Sequence, residues 1–454
     1  MTKKTRNILF SIFVLAFAII APLVCLYAAG YQVGNNFSVQ KTGILVIKTE
    51  PTAATIYLEN KTQKNLVDNL LQTNKQSYTT PNRIKNLLPG KYDIKLEKEG
   101  YWAWEKQLQI DPGQSIYIEN VNLFKNNLPT PLNNQQYSDL IPSPNGRMLL
   151  AIYQHGADII NLDDDTIKNI SIATASVKTV FTKDNCLWSP NNDAIILGQY
   201  LYDLSNTEQT RNINELTDDN LTNIKWNLTD KNHISYTSQS SLYDFNLDSK
   251  EKKLIAKDIS TNDYLARGND LFFLGRENDS IMLNVWDLSK NQSVRKINLP
   301  NSDYTFINQD NNLINLLDKT HKALYLIDPF AELKPIVEII NNVNSARWIN
   351  SDKLIYANDY ELWIYDAKNY YKVLLTRISE QITAVFPFTN ENYLFYATEN
   401  NINIMEMDSR DKYNIIKLVD LEKIKDPYLS KNGDALYFYS KIGSNEGVYK
   451  LVIQ

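Results

Sequence analysis

"WSPNNDAIILGQYLYDL", residues 188–204, holds the pattern that decides the fold. A Ser-Pro-Asn turn leads into an apolar run, a short gap follows, and a second run ends in an aromatic-Asp pair. Two apolar runs of this length, bounded by turn residues and rich in Ile and Tyr, read as paired strands. The same order recurs along the chain. "SPNG" at 143–146 precedes "RMLLAIY" and "DIINLD"; "WNLTDKN" at 226–232 precedes "HISYTS" and "LYDF". "RGND" at 267–270, "NQDNN" at 308–312, "WINSDK" at 348–353, "FTNEN" at 388–392 and "LSKNGD" at 429–434 open further copies. Corresponding positions lie 39 to 46 residues apart.

A period near 40–45 residues with about four short strands per copy is the signature of a β-propeller. The copies resemble the WD-repeat and TolB-like families, in which "SPDG" turns and "LYxxD" strands recur. Trp286-Asp287 is the one literal Trp-Asp pair, and no Gly-His signature accompanies it. Eight copies predict eight blades, or seven if the stretch around Asp303 to Asp328 is irregular. The last copy ends soon after its third strand at Gln454, leaving an edge to cover. A closing strand is therefore expected from residues 135–141, ahead of the first copy.

Upstream, period-two alternation marks another all-β region. Tyr92, Ile94 and Leu96 alternate with Asp93, Lys95 and Glu97, and residues 44–47, 56–58, 108–110 and 116–118 read as further strands. "TGILVIKTEPTAATIYL" followed by "TTPNRIKNLLPGKYDIKLEKEGYWAWEKQLQIDPGQ" resembles a PEGA domain, through Gly43, Pro51, Ala54, Thr80, Pro81, Leu87, Pro89, Gly90, Tyr92, Gly100, Tyr101 and Trp104. Ala53 stands where the family motif has Gly, and residues 60–78 replace a tight hairpin. The resemblance implies a non-catalytic extracytoplasmic sandwich of bacterial or archaeal surface proteins, serving as spacer or binding module. Trp102 and Trp104, read as sharing one strand face, are the candidate binding residues: a glycan-stacking platform, or core aromatics. Leu66, Val67, Leu70 and Leu71 fall at helical spacing within the insertion.

At the N-terminus, residues 8–29 are apolar and uncharged after Lys3, Lys4 and Arg6. Such a run is long enough for a bilayer-spanning helix and longer than a signal-peptide core. Tyr27 or Leu26 at the −3 position suits cleavage poorly, and Val24 before Cys25 suits lipid modification poorly. The basic flank predicts a cytoplasmic N-terminus with the bulk of the chain extracytoplasmic at the cell membrane.

The expected organisation is thus a cytoplasmic N-terminus and transmembrane helix (1–30), a PEGA-like β-sandwich (41–125), a linker (126–136) and a seven- or eight-bladed β-propeller (137–454). The fold class is an all-β ectodomain on one transmembrane helix.

Composition narrows the chemistry. With 47 Lys+Arg against 52 Asp+Glu, the chain lacks the basic excess of a nucleic-acid binder. Two cysteines and 3 histidines leave no zinc-finger or disulfide framework, and 14 glycines include no phosphate-loop or dinucleotide fingerprint. No cofactor and no metal are expected. Asp203, Asp244, Asp287, Asp328, Asp366 and Asp408 recur once per copy, which fits a hydrogen bond to a turn better than ligands converging on one ion. Asp163, Asp164 and Asp165 read as a solvated hairpin. His155 and His321 fall between second and third strands of opposite copies, and His233 starts a strand, so no catalytic histidine is expected. The resulting expectation is a non-catalytic, membrane-anchored binding or scaffold protein. Its propeller would engage a protein or cell-envelope glycan through the connectors at 172–185, 217–223, 300–304 and 341–345. A propeller-type glycan-active hydrolase or lyase, with paired carboxylates, and a purely architectural surface spacer are the competing readings.

Overall fold

The computed structural model describes residues 3–33, 38–60, 78–154, 156–171, 180–205, 210–217, 219, 221–226, 232–257, 263–277, 280–290, 292–307 and 312–454. Leu66, Val67, Leu70, Leu71 and His155 lie outside them, as does most of the 172–185 connector. The chain forms two compact units: Met1–Asn127 with Met405–Ile416 and Ile453–Gln454, and Leu128–Ile404 with Lys417–Val452.

The first unit opens with an apolar helix, Lys3–Ala28, whose 26 residues are long enough to cross a bilayer. Two sheets follow. One orders Asn82–Leu87, Gly43–Glu50 and Ser115–Asn122; the other orders Tyr78–Thr79, Thr55–Asn60, Gly90–Glu97 and Trp104–Ile110. Strict alternation in the last strand puts Trp104, Lys106, Leu108 and Ile110 on its buried face. Leu45, Ile47, Ile56, Ile94, Leu96 and Trp104 form the core between the sheets. Lys106 is a buried charge in this unit, answered by Glu406 at 3.0 Å, Asp408 at 3.4 Å and the Asp408 carbonyl at 2.7 Å. Glu406 also accepts from Trp104 Nε1 at 3.2 Å and Asn414 Nδ2 at 2.9 Å, so its second-partner needs are met. Burial, with the nearby Asp408 charge, pushes the Glu406 carboxyl upward, and the Lys106 ammonium opposes that push.

Ala53 has φ 63°, the left-handed conformation that its glycine counterpart would adopt freely, and its N–H donates to Thr80 O at 2.8 Å. Alanine there bears the steric cost of a positive φ.

The second unit contains eight four-stranded antiparallel sheets among the described residues, seven of them simple meanders in chain order. Together they make an eight-bladed propeller, and the copy around Asp303 to Asp328 is a regular blade of strands Tyr304–Ile307, Ile314–Asp318, Ala323–Ile327 and Ile336–Ile340. Second strands such as Leu149–Ile152 are buried on both faces, because each blade is covered by a neighbour on either side. Leu150, Ile152, Trp188 and Leu197 fill the gap between blades one and two; Leu274, Leu283, Ile314 and Leu316 fill that between four and five. First strands touch first strands of the adjoining blade, which places them innermost, around the axis.

Leu149, Ile160, Tyr437 and Tyr439 join blade one to blade eight, closing the ring. Blade eight orders Thr130–Pro131, Asn445–Val452, Ala435–Ile442 and Glu422–Leu429. Its covering strand is therefore Thr130–Pro131, upstream of the expected 135–141. Asp139–Pro142 instead is the innermost strand of blade one, where Leu140 and Ile141 pair with Ala151 and Leu150. The difference has a physical reason. Leu140 is needed in the blade-one core, whereas Pro131, without an N–H, suits an outer edge. Leu132 N donates to Val448 O at 2.8 Å, and Asn133 Oδ1 accepts from Val448 N at 3.2 Å. Gly447 permits this approach: a Cβ there would sit 2.6 Å from Asn133 O.

Ala53→Gly should stabilise the first unit by about 1 kcal/mol, because strain relief exceeds the entropy added to the unfolded chain. Thermal melting of the full chain reads this out; an unchanged or lower melting temperature would show that Ala53 carries no strain.

Candidate functional site

Serine turns start the second strands. Ser143 Oγ accepts from Met148 N at 2.9 Å, Ser189 Oγ from Ala194 N at 2.9 Å and Ser430 Oγ from Ala435 N at 3.0 Å. The third residue beyond each serine has a positive φ, supplied by Gly146, Asn192 and Gly433. These turns are structural.

The periodic aspartates are structural as well. Asp203 Oδ1 accepts from Ser205 N at 2.8 Å, Asp287 Oδ1 from Ser289 N at 2.9 Å and Asp328 Oδ1 from Phe330 N at 3.0 Å. Asp366 Oδ1 accepts from Asn369 N at 2.8 Å and Asp408 Oδ1 from Arg410 N at 3.0 Å. Asp244 departs from the series. In its blade Asn246 takes the turn, accepting from Asp248 N at 2.9 Å, and Asp244 faces His233 Nδ1 at 2.7 Å. Within the acidic hairpin, Asp164 binds Thr166 and is held below its usual pKa by those bonds. Asp165 has a different task, pairing with Lys450 Nζ at 2.7 Å across the blade-one and blade-eight junction.

His233 uses both ring nitrogens, with Asn246 Nδ2 2.8 Å from Nε2. His321 sits beside Asp318 and Ser302, a triad by composition but not by geometry. Ser302 Oγ donates directly to Asp318 Oδ1 at 2.5 Å, and His321 Nδ1 lies 2.8 Å from Asp318 Oδ2. Ser302 Oγ also lies 3.4 Å from His321 Nδ1, but that is the nitrogen Asp318 already engages, whereas a triad's nucleophile faces the ring nitrogen opposite the one its carboxylate holds.

Of the candidate aromatics, Trp104 is 3 % exposed and belongs to the sandwich core, while Trp102 is half-buried just before the strand begins. The structure does not bring them together as a shared exposed surface.

Side chains that sequence reasoning passed over brace the connectors near the axis. Asp263, entering blade four, accepts from Thr305 Oγ1 and Phe306 N of blade five, both at 2.7 Å, and pairs with Lys225 of blade three. One carboxylate thereby ties three blades. Asp359 accepts from Asn344 Nδ2 at 2.7 Å and Gln381 Nε2 at 2.9 Å, bonds that hold its pKa down. Asp426 accepts from Leu140 N at 3.1 Å and pairs with Lys183. A detectable signal existed for part of this set: Lys225 interrupts an apolar first strand one residue before Trp226.

Residues 74–124 match the PEGA domain family. The matched stretch covers the later sandwich strands; Gly43–Glu50 and Thr55–Asn60, ahead of it, complete the two sheets. No curated protein matches the chain significantly. Among solved structures, the C-terminal WD40 domain of Sif2 is similar at 13 % identity, over 72 % of this chain and 98 % of its own, with TM-score 0.49. Porphyromonas gingivalis dipeptidyl peptidase 4 is similar at 10 % identity, over 70 % of this chain and 59 % of its own, with TM-score 0.48. The propeller assignment rests on the eight sheets themselves.

Asp263→Ala should lower the stability of the propeller by roughly 2–4 kcal/mol, since it leaves Phe306 N and the Lys225 ammonium short of their acceptor. Denaturant titration of the full chain measures it. A loss under about 0.5 kcal/mol would mean that the three-blade tie contributes nothing.

Proposed function

We propose that this chain is a single-pass membrane protein whose N-terminal helix is retained as an anchor. Lys3, Lys4 and Arg6 lie on the cytoplasmic side and the remaining chain is extracytoplasmic. The PEGA-like sandwich acts as a spacer, and the propeller is a non-catalytic interaction platform for a protein or a cell-envelope glycan. The domain limits proposed for these roles are 1–30, 41–125, 126–136 and 137–454.

The observation that carries this reading is the bracing of the axial connectors. Asp263 and Asp359 fasten loop residues, and Asp426 the innermost strand of blade eight, to neighbouring blades, each by two or more hydrogen bonds or ion pairs. A pre-ordered loop surface loses little entropy on docking, which favours recognition. The Ser302, Asp318 and His321 arrangement supplies no activated nucleophile, so the same surface is better suited to binding than to hydrolysis.

Crosslinking on intact cells followed by capture of the full chain tests the reading, alongside protease shaving. The expected result is digestion of the bulk of the chain from outside. A specific crosslinked partner should disappear when residues 300–303 and 341–344 are replaced by Gly-Ser segments. Protection of the chain from external protease, or unchanged capture of the same partner by the replaced variant, would contradict it.

A further inference from the structure

Between the apolar helix and the sandwich the chain makes an excursion that returns to its starting point. Gly30 O, just past the helix end, accepts from Thr42 N and from Thr42 Oγ1, both at 2.8 Å. Between these anchors Tyr31–Val33 pairs with Val39–Lys41 in a two-stranded sheet of its own. Whatever depth Gly30 occupies, both ends of this strand pair share it. The helix sets that depth. At about 1.5 Å per residue the apolar run at 8–29 spans roughly 33 Å, slightly more than a hydrocarbon core. Gly30 therefore stands where hydrocarbon gives way to lipid headgroups. The Tyr27 ring, about one turn earlier, is exposed and has the amphipathic character enriched at that level.

The strand pair fits the same boundary. Its register sets Tyr31 opposite Lys41 and Gln32 opposite Gln40, so alternation puts Tyr31, Val39 and Lys41 on one face and Gln32 and Gln40 on the other. Val39 is 51 % exposed. The Lys41 stem lies along the turn at Gly113, where a Cβ would sit 2.9 Å from Lys41 Cδ, and its ammonium has no carboxylate partner among the described residues. On the polar face Gln40 Nε2 donates to Ser38 Oγ at 2.9 Å. The sandwich core, drawn from Leu45 to Leu123, takes in none of these side chains. Two strands alone are marginal in water, so this pair needs a surface to lie on, and the one its ends reach is the bilayer boundary.

We infer that the strand pair Tyr31–Val33 and Val39–Lys41 is a second membrane contact, lying in the headgroup layer with Tyr31 and Val39 toward the acyl chains and Lys41 reaching the lipid phosphates. Amphipathic elements with aromatic and cationic side chains partition to this layer, and cross-strand pairing satisfies backbone groups that lipid cannot. The contact orients the sandwich. Gly113 N donates to Thr42 O at 3.1 Å, so the Asp111–Gln114 turn is the end of the sandwich that faces the membrane. The inference rests on the retained-anchor reading and goes beyond it, since a helix alone leaves the sandwich free to swivel.

Single spin labels test it in the full chain, in nanodiscs of phosphatidylcholine containing phosphatidylglycerol, after Cys25→Ser and Cys186→Ala remove the native thiols. Labels are placed through Ile20→Cys, Val39→Cys, Gln40→Cys and Asn120→Cys, and collision with a water-soluble nickel complex is measured for each. Ile20→Cys should be shielded and Asn120→Cys open, with Val39→Cys severalfold less accessible than Gln40→Cys. If Val39→Cys is as open as Asn120→Cys while Ile20→Cys is shielded, the second contact fails and the anchor stands. An open Ile20→Cys overturns both. Equal accessibility at Val39→Cys and Gln40→Cys overturns the assigned face. The unaltered chain supplies a check that no variant can spoil. A lipid with a gadolinium headgroup should broaden the Val39 methyl signals more than those of Val121, near the far end of the strand Ser115–Asn122 that begins beside the Gly113 turn. Equal broadening would contradict the contact.

Discussion

A propeller has no chain end that closes it for free. Its last blade carries an open edge unless a segment from elsewhere pairs with it, and here that segment is Thr130–Pro131 on Asn445–Val452. Other features of the second unit follow from this join. Gly447 is small because Asn133 O occupies the space of a side chain, and Lys450 reaches Asp165 to tie the same strand to blade one. Tyr437, at the same junction, donates to Leu162 O at 3.1 Å. A segment ahead of the first blade that pairs into the last one, together with the core shared by blades one and eight, converts a linear array of sheets into a ring.

The blades were readable from residue order because each sheet is covered on both faces. Their central strands are therefore uninterrupted apolar runs, and the turns between them need Pro, Asn or Gly at set positions. Eight such copies made the count accessible, and Leu326 and Leu324 in the fifth blade are as buried as their counterparts. The closing strand was misplaced by a few residues for a definable reason. Thr130 and Pro131 carry no apolar pattern, since an outer edge strand contributes hydrogen bonds and little core. Pattern reading registers burial and is blind to such pairing. The grouping of Met405–Ile416 with the first unit was equally invisible. It depends on Lys106, a charge within an alternating strand, finding Glu406 about three hundred residues later.

The candidate site shows the same division. The turn role of the recurring aspartates was legible, because Asp followed two residues later by a backbone donor is a local motif. Asp244 escaped the rule because Asn246 displaced it, a matter of one strand's register. Asp263 could not be read at all: its partners Lys225, Thr305 and Phe306 come from two other blades. Trp102 and Trp104, prominent as residue types, separate in the structure into a half-buried loop residue and a core residue. The charged side chains near the axis are in large part answered by partners from neighbouring blades, as Lys225 is by Asp263.

Hydrogen exchange at single-residue resolution tests the closure most directly. The Leu132 amide, which donates to Val448 O, should exchange as slowly as the Leu150 amide in the interior of blade one. Both should lose protection together when the ring is destabilised with denaturant. Fast exchange at Leu132 while Leu150 stays protected would show that the edge of the last blade is open, and that the ring is not held by Thr130–Pro131.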